Sequence, residues 1–125
     1  MFVRWKKRKS VDKQPGHQLW KAGEITYSAE LVESYRLNGK PHQKVIAFLG
    51  SIKQSELASV TSRYYFWFHF MTEKMKEYPL RTLPPEQQRM VFKALQQKVP
   101  LSEAEIAAER ERTRYGAGEW SMPTL

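Results

Sequence analysis

The sequence predicts an α+β protein: a small N-terminal antiparallel sheet of roughly three to five strands, able to curl into an SH3-like barrel, then one long aromatic helix and two shorter helices. Three observations carry this reading. Asn38-Gly39 stands between two runs rich in Tyr, Val, Ile, Leu and Phe. Residues 52–77 hold neither Gly nor Pro. Prolines and a Ser102…Glu105 pair then divide the C-terminal part of the chain.

In chain order, Phe2 to Arg8 reads as a first strand, with Phe2, Arg4, Lys6 and Arg8 on one side and Val3, Trp5 and Lys7 on the other. Ser10 to Gly23 carries Pro15, Gly16 and Gly23 and reads as a loop, with a short strand around His17–Lys21. Asn38-Gly39 suits the two positive-φ positions of a type I′ turn. That turn sets Val32 opposite Val45, Leu31 opposite Ile46, Ala29 opposite Phe48 and Glu33 opposite Lys44, so apolar meets apolar and acid meets base. Gly50 is expected to end the hairpin.

Ser51 with Gln54 then has the form of a capping box. Leu57, Val60, Tyr64, Trp67, Met71, Met75 and Tyr78 recur at alternating spacings of three and four, the period of a helix. At about 1.5 Å per residue that helix would be on the order of 39 Å long. The stretch Tyr64 to Met71 is apolar around most of the circumference, and a helix apolar all round must be covered all round. A second subunit is therefore expected on one face, with Tyr64, Tyr65, Trp67, Phe68, His69 and Met71 as the homodimer interface. Pro79 and Pro84-Pro85 break the chain. A helix from about Pro85 to Lys98 buries Val91, Phe92, Leu95 and Val99. Ser102 with Glu105 opens a charged helix to about Tyr115, with Glu109–Arg112 and Glu111–Arg114 as exposed pairs. Trp120, in a loose tail, is free to dock on a neighbour. The organisation read from this is a basic β domain over 1–50, a helical dimerisation region over 51–115 and a tail over 116–125.

Charge points to the ligand. The 125 residues carry a net +8, with 41% apolar and 13% aromatic residues, enough for a packed core. Residues 1–53 hold 11 Lys or Arg against 4 acids, whereas residues 54–125 hold 10 against 9. A basic excess confined to one half points to a polyanion, nucleic acid before a membrane surface. Phosphate contacts are expected from Arg4, Lys6, Lys7, Arg8, Lys9, Lys13, Lys40 and Lys44, and base contacts from Arg36 and Gln43, since a two-stranded ribbon fits the major groove. Trp5 is read as core, with stacking on a base as the alternative. Asn38 is read as turn chemistry.

Other classes lack residues. There is no cysteine, which removes disulfides and thiol catalysis and is compatible with a reducing cytoplasm. His17, His42 and His69 have no helical His partner, so neither a metal site nor any other cofactor is expected. Paired carboxylates in an apolar setting, a Gly-rich phosphate loop and a Gly-x-Ser-x-Gly motif are all missing, so the chain is not read as an enzyme. No run of 18 apolar residues occurs, and no membrane partner is expected.

A resemblance adds to this. Phe2-Val3-Arg4-Trp5-Lys6-Lys7, followed by Leu31-Val32-Glu33-Ser34-Tyr35-Arg36, Asn38-Gly39-Lys40, Gln43 and Leu49-Gly50, resembles the N-terminal β domain of DDE-type insertion-sequence transposases over residues 1–52. It implies a small β domain that binds DNA, and a plasmid or other mobile-element setting. His42 stands where that pattern favours Arg. The family's RNase-H-like catalytic domain with its three carboxylates has no counterpart here, so binding carries over and transposition chemistry does not. A compact basic β domain also resembles, in architecture alone, the KOW and other SH3-like modules that bind nucleic acid, RNA included. The expected function is non-catalytic nucleic-acid binding, DNA before RNA. The alternative is a dimeric protein–protein adaptor or inhibitor of a mobile-element or transcription protein.

Overall fold

Asn38 and Gly39 take φ of 53° and 77°, both positive as a type I′ turn requires, and they close the hairpin around which the N-terminal half is built. The computed structural model describes residues 1–9, 23–113 and 120–123. Strands β1 (Phe2–Lys9), β2 (Ile25–Leu37) and β3 (Lys40–Lys53) form an antiparallel meander in the order β1-β2-β3. Helices α1 (Val60–Thr72), α2 (Pro85–Lys98) and α3 (Glu103–Thr113) come after them. This is the α+β arrangement, as a three-stranded open sheet; among the described residues no strand closes it into a barrel. The strand expected around His17–Lys21 lies outside the described residues.

Near the turn the expected register holds, with Val32 opposite Val45 and Glu33 opposite Lys44. Farther away it does not: Leu31 pairs with Ala47 and Ala29 with Gly50, because β3 carries an extra residue at Ile46 and again at Leu49. The physical reason is visible in Leu49, which is fully buried. Unbroken pairing would have turned Leu49 to solvent and Phe48 inward; the bulges reverse both. Gly50 does not end the strand, which runs three residues farther to Lys53.

That extension overturns the long helix. Ile52 is buried opposite Tyr27, so Ser51 and Gln54 do not form a helix cap. A 3-10 turn at Ser55–Ala58 intervenes. The real cap of α1 is Ser59, whose hydroxyl accepts the Ser62 N–H at 3.3 Å. The chain leaves α1 at Glu73, so Met75 lies in a second 3-10 turn and Tyr78 is 77% exposed. The second cap stands as read: Ser102 and Glu105 exchange hydrogen bonds of 3.0 and 3.1 Å at the start of α3.

The core lies between one face of the sheet and the helices. Ala29, Leu31, Leu49 and Ile52 meet Tyr64, Phe66, Trp67 and Phe70 of α1, Val91, Phe92 and Leu95 of α2, and Ile106 of α3. Trp5 packs against this core, its ring 6.3 Å from that of Phe66. The Trp67 indole N–H donates to Val99 O at 2.7 Å. Trp120 folds back onto Tyr64 at 5.6 Å between ring centroids, rather than docking on a neighbour. Much of the covering that a second subunit was expected to supply to α1 thus comes from within the chain. Tyr64 and Trp67 are fully buried within one chain and are not open to a second one, while Phe68 and Met71 are partly buried against the same core. The remaining expected interface residues, Tyr65 and His69, are exposed. Glu109 is a further correction. It is 6% exposed and accepts from Thr61 at 3.1 Å and Arg112 at 2.8 Å, so its carboxylate faces inward while Arg112, with 58% of its side chain exposed, stays at the surface. Arg114 and Tyr115 lie outside the described residues.

Candidate nucleic-acid interface

In an antiparallel sheet, residues directly opposite one another share a face. The pairing therefore sorts the cations. The face away from the helices is built of rows: Arg8–Thr26–Lys53, Lys6–Ser28–Ser51, Arg4–Glu30–Phe48, Phe2–Val32–Val45, then Ser34–Gln43 and Arg36–Pro41 along the hairpin. Val32 is buried but lies outside the core cluster, flanked in its row by Phe2 and Val45. The face thus presents five cations, with the hydroxyls of Thr26, Ser28 and Ser51 beside them and a single acid, Glu30, among its paired positions.

Glu30 holds two of those cations in place. Its Oε1 lies 3.1 Å from Arg4 Nη2 and 3.6 Å from Lys6 Nζ. Arg4 Nη1 also donates to Gln43 Oε1 at 3.0 Å. One carboxylate cannot neutralise both, and Arg8, Arg36 and Lys53 are exposed. At partly exposed positions such pairs contribute ~1 kcal/mol or less, so they orient the cations without withdrawing them.

Of the residues expected to bind nucleic acid, Arg4, Lys6, Arg8, Arg36 and Gln43 share this face. Lys7 and Lys9, opposite Tyr27 and Ile25, are on the other face, as are Lys40 and Lys44, opposite Leu37 and Glu33. Lys13 lies outside the described residues. Two members of the face escape the sequence reading. Helical periodicity claims Lys53, although it continues the alternation of β3. An unbroken register puts Phe48 opposite Ala29, and the bulge instead leaves it 47% exposed beside Glu30.

The hairpin continues beyond β1, whose last partner is Val32. Every residue from Glu33 to Val45 is exposed, so this segment is a two-stranded arm reaching about 16 Å past the body at ~3.3 Å per residue. Tyr35 and His42 stack across it at 5.4 Å, and Arg36, Lys40 and Lys44 give it positive charge.

Among the described residues no group of three His, Asp or Glu side chains converges on a metal-sized site, and no helix is long and apolar enough to cross a membrane. Neither a protein-family model nor a curated protein nor a solved structure matches the chain.

Proposed function

We propose that the protein is a non-catalytic nucleic-acid-binding protein whose binding surface is the sheet face away from the helices, with the hairpin arm as its extension. The observation that supports this is the convergence of Arg4, Lys6, Arg8, Arg36 and Lys53 on one face of the sheet, with Glu30 as the sole acid in its rows. Cations spaced along adjacent strands can each meet a phosphate, and each phosphate neutralised releases a counterion. Thr26, Ser28 and Ser51 between them supply hydroxyls for phosphate and sugar oxygens. The resemblance of residues 1–52 to a DNA-binding β domain makes DNA the first ligand to test, ahead of RNA.

The test is a gel-shift panel of single- and double-stranded DNA and RNA at low and physiological salt. It is repeated with Lys6→Ala, Arg8→Ala and Lys53→Ala combined. The expected outcome is binding at low salt that weakens steeply as salt rises, with the triple variant reducing the log–log salt slope by about 2 to 3. Absence of binding to every probe at low salt, or a variant that binds as the unmodified chain does, overturns the reading.

A further inference from the structure

We infer that the basic face ends in a base pocket, and that the ligand is a single-stranded nucleic acid with at least one base turned out of the stack. The inference rests on the binding function proposed above. The cavity has a volume of ≈360 Å³ and lies between β3 and α1, lined by Phe48, Ser51, Glu56, Ser62, Tyr65 and His69 among others. Phe48 and Ser51 are at once lining residues of this cavity and members of the rows that hold Arg4 and Lys6. The rows that begin with Arg4 and Lys6 on β1 therefore end, across Glu30 and Ser28 of β2, at two residues that line the cavity. A strand laid along Arg8, Lys6 and Arg4 would bring its bases to that rim.

The chemistry inside is that of a base rather than a phosphate. Phe48 is 47% exposed and Tyr65 41% exposed, two aromatic rings presented where a planar base has faces to stack on them. Lys74 Nζ lies over the Phe48 ring, 5.6 Å from its centroid, and pairs with Glu77 at 3.7 Å. The hydroxyls of Ser51 and Ser62 offer both donors and acceptors to a base edge, and His69, whose Nδ1 is engaged by Glu73 at 3.1 Å, adds its Nε2. Glu56 is an acceptor only; its carboxylate repels phosphate and suits an exocyclic amino group. A duplex keeps its base faces stacked inside, so an unpaired base is what can enter.

The experiment titrates the full chain against a labelled single-stranded oligodeoxynucleotide and against the duplex of the same sequence, by fluorescence anisotropy at two salt concentrations. The expected result is tighter binding of the single strand. Phe48→Leu and, separately, Tyr65→Leu should weaken it about tenfold with the salt slope unchanged, while Phe48→Trp retains it. Both positions are exposed, so either variant serves if the other fails to fold. Single-strand binding unaffected by both Leu variants, or preference for the duplex, overturns the pocket and leaves the proposed function standing. Failure of the unmodified chain to bind any probe at low salt overturns both.

Discussion

A Cβ placed on Gly50 would stand 2.9 Å from Cε2 of the Phe66 ring. The ring cannot easily retreat, because it lies between Trp5 and Trp67, each 6.3 Å away by centroid. Gly50 also holds φ at +153°, a conformation that L residues rarely adopt. This close approach is one of several by which the sheet packs on α1.

Gly50→Ala should therefore destabilise the fold by about 2–4 kcal/mol, the range for overpacking combined with backbone strain. Urea unfolding checks it. Gly39→Ala is the comparison: its φ is also positive but nothing lies within 4 Å, so about 1 kcal/mol of backbone strain is expected there.

Trp67→Phe removes the indole N–H that donates to Val99 O and leaves unfilled space in a fully buried site. A loss of about 2–4 kcal/mol is expected, from the unmet carbonyl and the cavity together. The midpoint of thermal unfolding reads it directly.

Glu109 makes stability depend on acid. The Arg112 hydrogen bond, outweighing the cost of burial and helped by Thr61, holds its carboxyl below the 4.5 of an ordinary glutamate. A depressed carboxylate contributes stability that is fully present above the unfolded value and is lost as pH falls through the lower, folded value. Glu105 is depressed likewise, first by the Ser102 backbone N–H and further by Arg63. Glu109→Gln should thus unfold more readily at neutral pH, and the difference from the unmodified chain should shrink as pH drops below about 4.5. Denaturation midpoints of both proteins between neutral and acidic pH provide the check; a gap that stays constant would contradict it.

Glu30→Gln should strengthen polynucleotide binding, since it removes the acid that shares Arg4 and Lys6. A gain of about fivefold is expected at low salt, shrinking as ionic strength rises, as an exposed charge interaction must. Anisotropy titrations at two salt concentrations measure it.

How far the sequence discloses this molecule depends on the range of the signal. Local chemistry reads well: Asn38-Gly39 makes its turn, Ser102 and Glu105 make their box, and the alternation of β1 correctly separates Arg4, Lys6 and Arg8 from Val3 and Trp5. Signals that depend on packing do not. Nothing in Val45 to Gly50 announces that Ile46 and Leu49 are extra residues, because bulges are decided by which side chains the core accepts. Ser51-x-x-Gln54 imitates a cap while Ile52 is still bound into the sheet, and Ser59-x-x-Ser62 is the quieter but real signal. The covering of α1 is hidden for a similar reason. Trp120 comes from far along the chain, and no periodicity reports that it returns to Tyr64. For the site, counting cations over the first half groups Lys7, Lys9, Lys40 and Lys44 with residues on the opposite face; only pairing partners divide them.

The arm from Glu33 to Val45 has one more consequence. With no side chain in the core, it can open and reclose while the body stays folded, and its amides should exchange with solvent ahead of those in the rest of β2 and β3. Its letters are correspondingly cheap to rewrite: Tyr35, Arg36, Lys40 and His42 are all exposed and can be replaced with little penalty to the scaffold.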